Sequence, residues 1–193
     1  LQYSRRVNLP WPVLLPAASA AFVAALLGAW LVTVVAPDFL RKALPAVLLL
    51  VLAYTVAKKD LGQHHAPRYA LAHARAVACT IAAVVGLYDG FFGPGTGSFL
   101  VFLLVRLLGY DFLHASASAK LINTGTNVAA LILFTLKGHV WWHFALVMAL
   151  ANVLGSLAGT HLALRHGTGF VRAVFIAVVS ALIVKTSYDA FLR

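Results

Sequence analysis

Long apolar runs separated by short polar or charged breaks make up most of this chain. Trp11 to Val35 is free of charge and predicts a first helix, with Pro12 and Pro16 in its opening turns, where a missing N–H costs least. Ala36-Pro37-Asp38 breaks the pattern. Phe39 to Ala57 then predicts a second helix that returns as the other arm of a hairpin, with Arg41 and Lys42 placed to reach an interface. Lys58 to Arg75 is the one soluble-looking stretch, carrying Lys58, Lys59, Arg68 and Arg75 beside His64, His65 and His73. From Ala76 to Val105 the single charge is Asp89, and Gly90-Phe91-Phe92-Gly93-Pro94-Gly95-Thr96-Gly97 cuts the run. No continuous helix is expected across four glycines and a proline. That stretch is either one crossing built of two half-helices or a re-entrant hairpin. Phe112 to Leu136 predicts the next helix, with Lys120 its only formal charge. Val140 to Leu164 follows, then a turn through Arg165-His166-Gly167-Thr168-Gly169, then a last helix from Phe170 to about Ala190. The pattern predicts six or seven crossings.

Composition fixes the class. Of 193 residues, 62% are hydrophobic and 10% charged, against about a quarter charged in a soluble domain, and the mean hydropathy is +0.92. A soluble globule is excluded, and an all-α, polytopic helical membrane protein is expected, because a span takes about 20 mostly apolar residues. Fifteen Lys and Arg face five acidic residues, all of them Asp, for a net charge of +10. The basic residues sit between apolar runs, as in cytoplasmic loops beside an anionic leaflet. No basic stretch is interleaved with exposed aromatics, so no nucleic-acid partner is expected. The positive-inside rule puts both Arg5-Arg6 and Lys58 to Arg75 on the cytoplasmic side. Cys79 is alone in an apolar run and forms no intrachain disulfide. The histidines lack a ligand-spaced Cys or carboxylate cluster, so no metal is expected, nor any other cofactor.

A shift of 131 positions superposes Trp11 on Trp142, Gly28 on Gly159, Leu31 on Leu162, Phe39 on Phe170 and Arg41 on Arg172. Matches of Trp, Gly, Phe and Arg in one register point to an internal repeat, the plan on which many transporters build a midplane site from interrupted helices. The implied organisation is 1–57 as the second part of a first repeat, 58–70 as a cytoplasmic loop and 71–193 as a complete second repeat. The chain opens at Leu1 with no Met and no signal peptide. It is therefore read as an N-terminally truncated fragment, with about sixty residues and a second glycine-rich break expected upstream.

Two constellations carry candidate chemistry. Asp89 precedes Gly93-Pro94-Gly95-Thr96-Gly97-Ser98 and an apolar helix. Backbone N–H groups at that helix start, with glycines that admit an anion, make a cradle at membrane depth. The alternative is a structural break whose glycines only let helices pack closely. On the helix from Phe112 to Leu136, Ser116, Lys120, Asn123 and Asn127 fall within a sector of roughly 60°, an ammonium flanked by a hydroxyl and two amides. An intramembrane Lys usually faces a bundle interior or a water-filled cavity. Its role is to bind an anionic substrate or, alternatively, to form a permanent ion pair with Asp89. Asp89 could instead carry a coupling proton. Tyr88 reads more readily as an interfacial anchor than as a substrate contact, and Thr126 points away from the Lys120 face. Asn152, Gly155, Ser156, Gly159 and Thr160 form a small-residue stripe whose default meaning is close helix packing. Gly90, Gly93 and Pro94 are read as hinge or packing residues.

Gly86 to Phe99, with Ala117-Ser118-Ala119-Lys120-Leu121-Ile122-Asn123 and Thr126-Asn127, resembles the second signature of the TauE/SafE family of sulfite exporters and related permeases. The resemblance covers essentially the whole chain. It implies transport of small sulfur-containing or organic anions, such as sulfite or an organosulfonate, across the bacterial inner membrane by a multi-pass protein. The expected site is Lys120 as charge partner, Asn123, Asn127 and Ser98 as hydrogen-bond donors, and the backbone of Gly95, Thr96 and Gly97. Expected partners are a small anionic substrate and the lipid bilayer, with assembly into a homo-oligomer left open. A membrane-embedded enzyme would need a nucleophile beside a base, and His143 and His161 have no paired carboxylate in sequence. No enzyme is therefore expected, and a non-transporting scaffold is the other alternative.

Overall fold

The structure is a computed structural model, and it describes residues 9–57 and 68–191. The described residues are helical throughout, with no strand among them: α1 (Trp11–Val34), α2 (Pro37–Ala57), α3 (Leu71–Phe91), α4 (Thr96–Leu103), α5 (Phe112–Leu136) and α6 (Trp142–Phe191). Among them, α1, α3 and the part of α5 from His114 to Leu136 are long and apolar enough to cross a bilayer. The soluble-looking stretch ends earlier than its charges suggest, because α3 starts at Leu71 and takes in His73 and Arg75. His64 and His65 lie outside the described residues, as do Lys58, Lys59, Arg5 and Arg6.

The helices fall into two compact units. One holds α1, α3, α4 and α5, the other α2 and α6.

The first unit is organised by a backbone contact between α1 and α3. Small residues recur every four positions on both helices: Ala17, Ala21, Ala25 and Ala29 on one, Ala78, Ala82, Gly86 and Gly90 on the other, all buried. Residues four apart stack on one face, so each helix presents a strip without bulk. A Cβ on Gly86 would lie 2.6 Å from the Ala21 carbonyl oxygen, and Cβ atoms on Gly90 and Gly28 would collide with the carbonyls of Ala25 and Leu87. Lipid tails are as apolar as leucine, so such close approach is a main source of helix association in a bilayer. The partners advance together along both helices, so α1 and α3 run parallel. At their shared start the Arg75 guanidinium donates to the Pro12 carbonyl oxygen at 2.7 Å. Four residues after Pro12 stands Pro16, which has no N–H to give that carbonyl. Arg75 supplies the missing donor.

At its far end α3 stops on glycine. Gly93 has φ 83° and its N–H reaches back to the Tyr88 carbonyl at 3.3 Å, closing the helix in the left-handed conformation. Pro94 follows, and α4 starts after Gly95, also at φ 83°. Residues Leu104–Leu108 continue α4 as a π-helical turn. The segment Thr96–Leu108 runs back along α3: Thr96 meets Asp89 near the end of α3, while the Leu108 carbonyl accepts from the Arg68 N–H, just before α3, at 3.2 Å. Of the two arrangements the sequence left open, the break is therefore the tip of a hairpin. The returning arm, at 1.5 Å per residue, is about 20 Å long. Asp111 caps α5, accepting the His114 N–H at 2.7 Å. Ala115, Ala119 and Ile122 of α5 then join a core with Leu14 of α1, Ile81 of α3 and Leu100 of α4.

In the second unit α2 packs on α6, with Leu48, Val51 and Val179 buried. The turn expected at Arg165 to Gly169 is absent: Trp142–Phe191 is one helix. That segment holds no proline, and two glycines cost a helix only about 1 kcal/mol each, so nothing in it forbids helical backbone. Asn152 and Gly155 are exposed in this unit, and a Cβ on Gly155 would meet nothing within 4 Å. Among the described residues, then, Gly155 has no close neighbour. The surroundings of Ser156, Gly159 and Thr160 lie outside the description.

Gly90→Ala should lower stability by about 1–3 kcal/mol, the usual cost of overpacking. Gly155→Ala, in open space within a helix, should instead raise stability by up to about 1 kcal/mol. Thermal unfolding in detergent checks both, and equal midpoints would refute the backbone contact.

Candidate functional site

The geometry centres on Asp89, in the last turn of α3. One carboxylate oxygen, Oδ1, accepts from the Thr96 hydroxyl at 2.6 Å, and the other, Oδ2, accepts from the Thr126 hydroxyl. Asp89 thus joins three elements: the end of α3, the start of α4 and the middle of α5. No salt bridge links it to Lys120 among the described residues, so the ion pair that was the alternative role for Lys120 is not made. The reason is angular. Lys120 and Thr126 are six residues apart on α5, about 120° round the helix at 100° per residue, and Thr126 takes the side facing α3.

Thr126 points away from the Lys120 face, as its angle implies, and packs with its hydroxyl near the Asn123 backbone carbonyl; its bond to Asp89 is what the sequence reading lacked. The residue is buried and continues the buried stripe of Ala115, Ala119 and Ile122 at helical spacing. A threonine in an otherwise apolar stripe was the available signal that a polar partner waits on the neighbouring helix. Thr96 also differs from expectation: its hydroxyl lies between Asp89 Oδ1 and the Gly93 carbonyl at 2.7 Å, so it shapes the break. Tyr88 is committed to the break as well. Its hydroxyl donates to the Pro94 carbonyl at 2.5 Å, and its ring meets Phe99 edge-on at 5.5 Å.

The glycines of the break divide by cause. Gly90 is required by the approach of α1, and Gly93 and Gly95 by their positive φ. Gly97 has neither reason: it lies in the first turn of α4, and a Cβ there would meet nothing within 4 Å. No side chain caps this helix start. The Thr96 N–H turns back to the Gly93 carbonyl at 3.4 Å, while Gly97 and Ser98, one and two residues further on, sit where first-turn amides lack an intrahelical acceptor. Ser98 is exposed.

On α5, Lys120 and Asn127 are exposed within the unit, and Ser116 and Asn123 are half-buried. Asn127 donates from its amide nitrogen to the Asn123 carbonyl at 2.7 Å, and that same carbonyl lies 2.9 Å from the Thr126 hydroxyl. Because Asp89 ties Thr126 to Thr96, the α5 turn holding Asn123 and Asn127 is linked through one carboxylate to the start of α4. The expected residues do not form one closed pocket in this unit: Lys120 and Asn127 stay open to the outside. Among the described residues no group of His, Cys, Asp or Glu could hold a metal ion.

The profile of the family described as sulfite exporter TauE/SafE matches residues 1–186. The "Probable membrane transporter protein ORF9" of Sinorhizobium sp. is 33% identical over 189 residues, covering 98% of this chain and 72% of that protein. The "Probable membrane transporter protein YfcA" of Escherichia coli K12 is 36% identical over 171 residues, 88% of this chain and 62% of that protein. A "Probable membrane transporter protein" of Haemophilus influenzae is 30% identical over 171 residues, 87% of this chain and 65% of its own length. This chain thus spans about two thirds of the length of these relatives. No solved structure matches it. The match along nearly the whole chain, the glycine-proline break and the apolar helices agree, and the chain belongs to the sulfite exporter TauE/SafE family of multi-pass membrane transporter proteins.

Proposed function

We propose that the chain forms the anion-handling part of a secondary transporter of the bacterial inner membrane, moving sulfite or another small sulfur-containing or organic anion. The observation that carries this reading is the Asp89 bridge, which links the uncapped start of α4 to the polar turn of α5. In this reading the amides of Gly97 and Ser98, at the positive end of the α4 dipole, meet the anion. Lys120 supplies the balancing charge, and Asn123, Asn127 and the Ser98 hydroxyl donate hydrogen bonds. Gly95 and Thr96 set the backbone of the break rather than touch substrate. The open space at Gly97 favours a ligand over a packing role, because packing gives no reason for a glycine there.

Glycines flanking the break, with a short arm behind it, allow the tip to move against α5, as alternating access requires. The chain carries no ATP-binding motif, so a gradient supplies the energy in this scheme.

Two outcomes are expected in proteoliposomes of the full-length protein. Lys120→Ala should cut labelled sulfite flux about ten- to a hundredfold, the worth of one charged hydrogen bond of about 1.5–3 kcal/mol, with normal folding. Equal flux in mutant and native would remove Lys120 from the site. Gly97→Ala should unfold at the native temperature yet carry less sulfite, since its Cβ fills the space beside the amides. Native flux in this variant would return Gly97 to a purely structural role.

A further inference from the structure

The donors around Asp89 are hydroxyls, and that choice has a chemical consequence. An arginine, a lysine or a backbone N–H can only donate, and so cannot accept from the O–H of a protonated carboxyl group. A hydroxyl has one hydrogen and two lone pairs, so it can serve a carboxylate as donor or a carboxylic acid as acceptor. Each threonine here has a second acceptor in reach for its hydrogen: the Gly93 carbonyl at 2.7 Å from Thr96, and the Asn123 carbonyl at 2.9 Å from Thr126. Each of those carbonyls also has another donor, the Thr96 N–H at 3.4 Å and the Asn127 amide at 2.7 Å respectively. Neither carbonyl is stranded when its threonine turns away.

We infer that Asp89 is a reversible proton-binding site, with Thr96 and Thr126 as positioning residues whose hydroxyls reverse direction as the proton comes and goes. In the ionised state both hydroxyls donate to the carboxylate. On protonation, a proton from water bonds to Oδ2, the new O–H donates to the Thr126 oxygen, and the Thr126 hydrogen turns to the Asn123 carbonyl. Thr96 keeps donating to Oδ1. Every polar group is paired in both states, so the charge can change at membrane depth without leaving an unsatisfied atom.

The titratable and charged groups on the packed elements are few. α1 has none between Trp11 and Val34, and α4 has none between Thr96 and Leu103. On α3, Tyr88 is neutral and occupied by the Pro94 carbonyl, while His73 and Arg75 lie at the opposite end. Lys120 on α5 faces away from Asp89, His114 lies at the start of that helix beside Asp111, and Arg106 lies in the π-helical turn near the Leu108 end. Among the described residues no cation is fixed on Asp89 to hold it ionised. As a coupling site this rests on the transporter reading above; as a proton site it does not.

The test is infrared titration of the purified full-length protein, following the carbonyl stretch of protonated carboxyl groups between acid and alkaline pH. A titrating band should be present in native protein and missing in Asp89→Asn. Thr126→Val removes the oxygen that accepts from the acid's O–H and should move the frequency of that band, while Thr126→Ser should restore it. Sulfite flux in proteoliposomes should fall in Thr126→Val and recover in Thr126→Ser. A band unaffected by Asp89→Asn, or a band frequency unmoved by Thr126→Val, overturns the inference. If native protein moves no sulfite, the anion reading fails while the infrared result still decides the proton site.

Discussion

Everything in the first unit hangs on two helices touching backbone to backbone. α1 and α3 can do so only because alanine and glycine recur every four residues on both, and no side chain larger than a methyl stands between them. Inside a bilayer there is no water to squeeze out, so dispersion and close fit carry most of the association. This contact fixes which part of α1 lies beside the end of α3, and so beside Asp89 and the break.

The same unit meets the demand that polar backbone in lipid be answered internally. Pro16 leaves the Pro12 carbonyl without its helical donor, and a guanidinium arrives from the parallel helix. Pro94 interrupts the chain, and its carbonyl receives a phenol from six residues earlier. The glycine that ends α3 sends its N–H back to Tyr88. Each irregularity of the backbone is thus answered by a donor specific to it, and Asp89 is placed within that set rather than beside it.

Much of this was legible in the sequence, and the rest was not for identifiable reasons. Helix bounds such as Trp11–Val34 and Phe112–Leu136 followed from runs of apolar residues, and the break followed from four glycines and a proline. Whether the break made half-helices or a hairpin depended on Leu108 returning to Arg68, a contact with no local signature. Thr126 was legible as a residue turned away from Lys120, but its partner Asp89, 37 positions earlier, has no local signature. The ion pair between Asp89 and Lys120 was chemically reasonable, but a helix fixes angles, and theirs do not meet. Glycine content at Arg165 to Gly169 suggested a turn, yet glycine permits a turn without requiring one. Which glycine serves packing, which serves φ and which serves neither became visible only with neighbours in place.

The parallel pairing of α1 with α3 also sets a schedule for synthesis. Gly28 and Gly90 are roughly sixty residues apart, and at ~5–20 residues per second the ribosome takes several seconds to pass from one to the other. Through that interval the face of α1 has not yet met α3. A strip of alanines suits the wait: it offers passing helices no aromatic or polar hold, and gains its grip only when a glycine-bearing partner of matching period comes alongside. Selectivity in assembly is thus built from what the α1 face lacks.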